Sequence, residues 1–358
     1  MPFTRWWGDA HLHGIAWASV FFPCLGSIMM RSPTLRHTAL RRFGVAAAAL
    51  PLLAAGLVDS VAGSSGASAP TTRHYGDEPL VRTFKDLDRT TAWELTDRIA
   101  LDFPTYHPQG FALVGNRIFM STVEIIRPTV AYPEPQGGYD RTPGKGVGHV
   151  LVLTRAGDLL RDIELGRGHM YHPGGIDFDG HDVWVPVAQY RPDSRAVVYT
   201  IDPRTYQVRE RFTYDDHVGG VVRDAVTGDV HGVSWGSRRM FQWGGGGRLK
   251  DVSANRSHLL DYQDCSYVDR GKQICSGITG LPTADGGSYE LGGLALLRLR
   301  NNGILHEVPF PYFSTADHVA TRNPVALEID GDTVRLLAAP DDGEEGAGTE
   351  LLIYEAPR

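Results

Sequence analysis

One polar position recurs along this chain of 358 residues. His107, His172 and His217 each open an apolar segment that carries glycine three residues after the histidine. Asp261 and Thr321 take the same place in a fourth and a fifth, more divergent copy. Neutral imidazoles together with a carboxylate bind Zn, Fe, Mn or Cu, and such a metal can polarise a substrate or activate water. The pattern therefore predicts a divalent metal ion, of unspecified identity, held by His107, His172, His217 and Asp261.

Further polar and aromatic residues are expected at the same face of the molecule. His258 and His318 lie three residues before Asp261 and Thr321. The residues expected at the ends of second strands are Glu124, Gln189, Trp235 and Asp341. We predict that these six residues contribute to ligand binding, with Glu124, His258 or His318 as a candidate acid or base. The alternative for each, as for the recurring histidines, is an ordinary role in capping a turn or solvating a loop.

The elements that must position these residues are short strands in repeated sets. Each copy consists of a strand, a glycine-containing turn and a second strand, and the second copy continues with strands at 196–201 and 207–212. Four-stranded units in series are typical of β-propeller blades. The innermost strand of a blade begins at the face that carries the loops between second and third strands. The recurring position should therefore ring one mouth of the central channel.

The two ends of the propeller segment are expected to close the ring. The fifth unit contains three strands, the last at 351–355, and residues 93–101 can supply the fourth. Such closure removes the exposed sheet edges of an open array. The sequence thus predicts an all-β fold, a five-bladed β-propeller of four-stranded blades over residues 92–358. A six-bladed ring, with a degenerate blade hidden in a long segment, is the alternative.

The first seventy residues have the order of a secretory signal. Arginines between residues 31 and 42 precede an apolar stretch at 45–58, which is followed by small residues. The stretch is short for a membrane span and is interrupted by Pro51 and Gly56. We expect residues 1–69 to be a Sec or Tat signal peptide with an over-extended start, and residues 70–91 to be a flexible linker. The mature chain would then be secreted and not inserted in a membrane; a single internal anchor is the alternative.

The charge balance of the chain indicates which classes of partner to expect. The chain carries 35 Lys and Arg against 42 Asp and Glu, and no basic patch is visible, so we expect no nucleic-acid partner.

Cys265 and Cys275 flank a hairpin with a predicted turn at 269–271, where Gly271 takes the left-handed position. In that register the two cysteines face each other, and in an exported protein they should form a disulfide. Two buried free thiols are the alternative.

Two segments carry a resemblance to a known family: residues 171–180 (YHPGGIDFDG) and 231–239 (HGVSWGSRR). They resemble a family of exported actinobacterial proteins known only as a domain of unknown function, over most of the mature chain. The His-Pro-x-Gly-apolar-Asp strand opening is also similar to that of NHL, senescence-marker lactonase and strictosidine-synthase-like propellers. The resemblance implies a propeller. It implies no activity, because the acidic and amide metal ligands of the lactonase-like families cannot be matched to this sequence residue by residue.

Two functions remain as alternatives at this point, and the sequence leaves open whether the protein is an enzyme. The first is a metal-dependent hydrolase or lyase that acts on a small extracellular molecule at a histidine-lined mouth. The second is a non-catalytic propeller that binds a carbohydrate, a peptide or an envelope partner through Trp235, Tyr132 and Tyr139. A nucleophile elbow at residues 232–236 (GVSWG) is not expected, because the following segment is predicted as a strand and not a helix.

Overall fold

The computed structural model describes residues 78–345 and 348–358. The predicted signal peptide at 1–69 and the start of the predicted linker lie outside these ranges. Of the helices in the described part of the chain, none is both long enough and apolar enough to span a bilayer.

The strands form five antiparallel blades arranged as a ring, which is a five-bladed β-propeller. A helix and a strand come first: α1 (Glu78–Asp86) and β1 (Glu94–Ala100). The strands of blade 1 and its inserted hairpin are β2 (His107–Val114), β3 (Arg117–Arg127), β4 (Ala131–Gln136), β5 (Tyr139–Arg141), β6 (Lys145–Thr154) and β7 (Leu159–Leu165). Here β4 and β5 form the separate hairpin, and the blade order is β2-β3-β6-β7. The predicted five-bladed fold is confirmed.

The remaining blades follow in chain order. Blade 2 has a divided innermost strand and contains β8 (His172–Pro173), β9 (Asp177–Phe178), β10 (Val183–Ala188), β11 (Ala196–Ile201) and β12 (Val208–Tyr214). Blade 3 contains β13 (Gly220–Arg223), β14 (Val230–Val233), β15 (Arg239–Trp243) and β16 (Leu249–Ala254). Blade 4 contains β17 (Asp261–Tyr267), β18 (Lys272–Pro282), β19 (Ser288–Arg298) and β20 (Gly303–Pro309). Blade 5 contains β21 (Val325–Asp330), β22 (Thr333–Ala338) and β23 (Glu350–Pro357). Short 3-10 helices occupy Trp235–Ser237 and Leu299–Asn301.

The first strand of the propeller completes its last blade. β1 pairs antiparallel with β23, so that blade 5 has the order β1-β23-β22-β21. Ring closure by the two ends of the domain is therefore confirmed. Every blade consequently has four strands and a neighbour on either side.

The hydrophobic core is divided into five clusters, one at each contact between neighbouring blades. One fully buried side chain in each cluster, taken in order around the ring, is Phe119, Trp243, Met240, Leu294 and Phe111. Because the apolar faces of adjacent blades meet in pairs, a blade buries both of its faces only when the ring is complete.

Within the segment 70–91, for which we predicted a flexible linker, residues Glu78–Asp86 form helix α1. Leu80, Val81 and Phe84 are buried in the cluster between blades 4 and 5. The ring of His306 donates a hydrogen bond of 2.7 Å to the carbonyl of Leu87. The apolar positions of the helix lie on one face, which packs against the propeller.

A carboxylate fills the centre of the ring. Asp264, in the innermost strand of blade 4, is 1% exposed. Its Oδ2 accepts hydrogen bonds from the backbone N–H groups of Phe111 (2.7 Å) and Val325 (3.4 Å), and its Oδ1 accepts one from Ile176 (3.2 Å). Burial raises the pKa of this carboxyl well above its usual value. The innermost strands of four blades thus meet at one side chain.

The predicted disulfide joins the first two strands of blade 4. Cys265 and Cys275 are paired across β17 and β18 and are bonded to each other. Lys272 N–H bonds to the carbonyl of Asp269, and Gly271 has a positive φ of 70°, as the predicted turn requires. The alternative of two free thiols is excluded.

Candidate functional site

Three histidines lie side by side at the mouth of the ring. His107 begins β2, His172 begins β8, and His217 precedes β13 by three residues. The ring centres of His107 and His172 are 6.4 Å apart, and those of His172 and His217 are 6.2 Å apart. His172 and His217 are buried, whereas the side chain of His107 is 22% exposed. The structure therefore brings these three predicted ligands together in a row.

Oxygen acceptors fix the two outer imidazoles of the row. Nδ1 of His107 contacts the carboxylate of Asp342, and Nδ1 of His217 lies 2.9 Å from the carbonyl oxygen of Gln189. Since both partners can only accept, each Nδ1 must carry a proton, and Nε2 keeps its lone pair when the imidazole is neutral. Nε2 of His172 is buried and has no hydrogen-bond partner among the described residues.

Two imidazoles of the row, those of His172 and His217, are held neutral. Burial lowers the pKa of His172 well below its usual value, and the neighbouring His217 and His107 lower it further. Burial also lowers the pKa of His217 to about 4, although its hydrogen bonds to backbone carbonyls act in the opposite direction. At neutral pH these side chains are therefore uncharged nitrogen donors.

The loop between β22 and β23 carries a carboxylate to the row. Gly343 donates its N–H to the carbonyl of Tyr106 at 2.6 Å, next to His107. A Cβ at Gly343 would lie 2.5 Å from Oγ1 of Thr105, so only glycine permits this approach. The close contact places Asp342 against His107.

A second histidine and carboxylate pair joins this loop to the connection between blades 4 and 5. Nδ1 of His318 is 3.1 Å from Oδ1 of Asp341, and Oγ of Ser314 donates to the same oxygen at 2.6 Å. Asp341 is 2% exposed, whereas the His318 side chain is 22% exposed. A buried carboxylate that orients a partly exposed imidazole is an arrangement suited to proton transfer.

Aromatic side chains cover the row from the side of blades 2 and 3. The ring of Tyr190 stacks on His172 with centres 4.2 Å apart and an interplanar angle of 12°. Trp235 contacts Tyr190 at 5.5 Å and His217 edge-on at 4.9 Å. The guanidinium of Arg141 lies 5.1 Å from the Trp235 ring centre. These contacts form an aromatic and cationic wall beside the imidazoles.

The β4–β5 hairpin is fastened to this wall. The hydroxyl of Tyr171 donates to the carbonyl of Pro143 at 2.8 Å, and burial raises the pKa of this tyrosine to about 12. The guanidinium carbon of Arg191 lies 3.4 Å from the ring centre of Tyr139, and its Nη1 donates to the carbonyl of Arg141 at 3.4 Å. The long loop of blade 1 is thus an ordered part of the mouth.

Other predicted site residues have different surroundings. Asp261 is ion-paired with Arg238 at 2.5 Å and contacts no histidine of the row. Glu124 is partly buried near Tyr106, and His258 is exposed in the connection that leads to β17. Within residues 78–345 and 348–358, no three His, Cys, Asp or Glu side chains are grouped tightly enough to hold a metal ion. The metal set of three histidines and Asp261 stays a prediction.

Two residues of the site lie one position after a predicted one. Tyr190 follows the predicted Gln189, whose side chain instead accepts a hydrogen bond of 2.8 Å from Arg191. Asp342 follows the predicted Asp341. The signal for both was their place at the end of a second strand, but strand ends cannot be located to one residue from sequence.

Comparison with known proteins gives distant structural likenesses. The chain is similar to a luciferin-regenerating enzyme, with 11% identity and a TM-score of 0.41 over 75% of this chain and 95% of that one. It is similar to the GH43 endo-arabinanase of Bacillus licheniformis, with 10% identity and a TM-score of 0.40 over 72% and 95% of the two chains. A DUF4221 member from Bacteroides vulgatus matches with 9% identity and a TM-score of 0.37 over 76% and 99%.

At the level of sequence, no curated protein matches the chain. One family model does match, that of a family of unknown function, DUF6454, over residues 75–357. The match spans nearly the whole propeller, from α1 to β23. The chain therefore belongs to the DUF6454 family.

Proposed function

We propose that this protein is a secreted hydrolase or lyase that binds a small molecule at the histidine-lined mouth of its propeller and uses a divalent metal ion held by His107, His172 and His217. The observation that supports the proposal is the row of three adjacent imidazoles, in which Nε2 of His172 is buried without a hydrogen-bond partner among the described residues. Burying several imidazoles next to one another costs stability, which is characteristic of functional sites and not of turn caps.

The hydrogen bonds around the row are those that metal-binding histidines have in general. Such histidines donate their second ring nitrogen to a carboxylate or a backbone carbonyl. Asp342 supplies the carboxylate for His107, and Gln189 supplies the carbonyl for His217. The proposal leaves out Asp261, because its carboxylate is engaged by Arg238. It requires the three rings to turn toward one another when an ion binds.

The roles of the remaining groups follow from their contacts. A metal ion in this site would polarise a substrate oxygen or lower the pKa of bound water. His318 donates its Nδ1 proton to Asp341, which leaves Nε2 to accept a proton from water or substrate. Tyr190 and Trp235 exclude water from one side of the row and provide flat surfaces for a ligand.

Metal content provides the first test of this proposal. The purified mature protein would be reconstituted with Zn, Mn, Fe or Cu, dialysed, and analysed by inductively coupled plasma mass spectrometry. We expect about one equivalent of one of these metals per chain, and less than about 0.3 equivalents in His107→Gln and His172→Gln. His107 is partly exposed, so its variant tests the site even where the buried His172 variant does not fold.

A histidine outside the site serves as the matched control. His181 lies in the turn between β9 and β10, and its side chain is 75% exposed. The variant His181→Gln should retain the metal content of the unmodified protein. A metal content below about 0.3 equivalents in the unmodified protein after all four reconstitutions would exclude the metal-dependent function.

The aromatic wall favours a second candidate function, a non-catalytic propeller that binds a carbohydrate or peptide. Tyr139, Tyr190 and Trp235 lie along one side of the mouth together with two arginines. Under this alternative, Trp235→Ala would abolish ligand binding, whereas His107→Gln would leave it unchanged.

A further inference from the structure

The connection between blades 4 and 5 carries an arginine to the edge of the histidine row. This connection is fastened to the end of β22 at two points: His318 bonds to Asp341 at 3.1 Å, and Nδ2 of Asn323 donates to the carbonyl of Pro340 at 3.2 Å. Arg322 lies between these two anchors, and its N–H bonds to the carbonyl of Val319 at 2.9 Å. The anchors thus place Arg322 on the segment that packs beside residues 340–341, adjoining Asp342 and its partner His107.

The charge of Arg322 acts on the hydroxyl of Tyr190, which lies at the mouth. Burial raises the pKa of Tyr190, the Asp342 carboxylate raises it further, and Arg141 and Arg322 act in the opposite direction. Since charges influence each other strongly only over short distances, Arg322 lies on the side of its segment that faces the mouth. The Tyr190 hydroxyl belongs to the ring that stacks on His172.

Arg322 lacks a partner within the part of the chain that the structure describes. Its guanidinium has no hydrogen bond or ion pair there, although the residue is partly buried. The other arginines of the mouth are engaged: Arg141 forms a bidentate contact with Asp140, and Arg191 bonds to Gln189 and stacks on Tyr139. A partly desolvated guanidinium without a counter-charge is unfavourable unless a ligand provides one.

We propose that the ligand of this site carries an oxyanion, a carboxylate or a phosphate, which Arg322 binds while the reacting part of the ligand faces the histidine row. The inference rests on the proposed function for the position of the reacting group. A guanidinium presents a planar pair of N–H donors that matches both carboxylate and phosphate oxygens.

Calorimetric titration of the metal-reconstituted mature protein tests this inference. The probes are malonate, succinate, inorganic phosphate and glycerol 2-phosphate, with malonamide and succinamide as uncharged matches. We expect at least one anion to bind and the amides not to bind. Arg322→Gln should weaken anion binding about tenfold or more, and Arg322→Lys should weaken it less, because lysine keeps the charge and loses the planar donor pair. The preferred anion distinguishes carboxylate from phosphate recognition.

Arg300 is the matched control because it is an exposed arginine in the 3-10 helix between β19 and β20, at the end of blade 4 opposite the mouth. Arg300→Gln should bind the anions as the unmodified protein does. The inference fails if no probe binds at about 10 mM, if the amides bind as tightly as the anions, or if the Arg322 and Arg300 variants behave alike.

Metal content measured on the same samples separates this inference from the proposed function. If metal is bound but Arg322→Gln has no effect on anion binding, the oxyanion inference is wrong and the metal-dependent function stands. If anion binding depends on Arg322 but no metal is retained, the metal-dependent function is wrong and the oxyanion site stands.

Discussion

The histidines of this protein differ in their neighbours, and these neighbours determine the role of each. In the row at the mouth, the outer histidines His107 and His217 have oxygen acceptors, and the central His172 has an aromatic neighbour. His231, in β14, has neither: it is 4% exposed, and both ring nitrogens are buried without a partner among the described residues. Gly232, Cys265 and Gln273 line the small cavity beside it. We interpret His231 as a core residue whose titration affects stability and not ligand binding.

The buried His231 should make the fold sensitive to mild acid. Burial lowers its pKa to about 4; Asp224 and Asp229 act in the opposite direction, and Lys250 lowers the pKa further. The unfolded chain takes up a proton at this histidine below pH ~6.5, whereas the folded protein does so only near pH 4. The free energy of unfolding therefore falls as the pH drops through this window, by about 1 kcal/mol per pH unit from this group alone.

The variant His231→Gln tests this assignment, because glutamine does not titrate. Urea unfolding between pH 7 and pH 4.5 should show a shallower loss of stability for His231→Gln than for the unmodified protein. His181→Gln, at an exposed turn, should retain the original slope. Identical slopes in all three proteins would show that His231 does not contribute to the loss of stability in acid.

The sequence predicted the three histidines of the row but not the loop residues that surround them. His107, His172 and His217 are recognisable because each lies three residues before a glycine at the start of an innermost strand. Asp342, Tyr190 and Arg322 lie in loops, and their positions depend on how those loops pack. The contact of Gly343 with Thr105, for example, joins residues far apart in the chain, and no local pattern encodes it.

Secondary-structure elements were predicted well where turn chemistry is local. The hairpin of β17 and β18 follows from its turn, since Gly271 at positive φ fixes the register that pairs Cys265 with Cys275. The strand β1 followed from the missing edge of blade 5. Helix α1 was not predicted, because its apolar residues are few and become recognisable only against the cluster that buries them.

The disulfide should contribute measurably to the stability of blade 4. The two cysteines are 10 residues apart in sequence, and closing a loop of this length stabilises a fold by about 2–3 kcal/mol. We expect the double variant Cys265→Ala/Cys275→Ala to lose about this much free energy of unfolding, as measured by urea denaturation. A reductant should lower the stability of the unmodified protein and leave the double variant unchanged. An unmodified protein that is insensitive to reductant would contradict the prediction.

The whole molecule is held together at the contacts between blades and at the centre of the ring. Each of the five apolar clusters joins two neighbouring blades, so the number of blades is fixed by closure and not by any single blade. The sequence predicted this count from the repeats. It did not predict the central carboxylate, since Asp264 lies one residue before a cysteine in the most divergent repeat and its partners come from other blades.

Loss of the Asp264 side chain should destabilise the entire ring. In Asp264→Ala the N–H groups of Phe111, Ile176 and Val325 lose their acceptor in a site closed to water. Each unsatisfied buried donor costs about 1–3 kcal/mol, so for the three donors we expect a loss of about 3–9 kcal/mol in the free energy of unfolding. Asp264→Asn should lose less, because it keeps one acceptor oxygen and the shape of the side chain.

The control is Asp215→Ala, which removes an exposed carboxylate paired with Arg195 and should cost less than about 1 kcal/mol. Equal stability of the Asp264→Ala and Asp215→Ala variants would show that the central carboxylate does not join the blades. A loss that affects one blade alone, seen as protection from hydrogen exchange in the others, would show that the blades are not coupled through it.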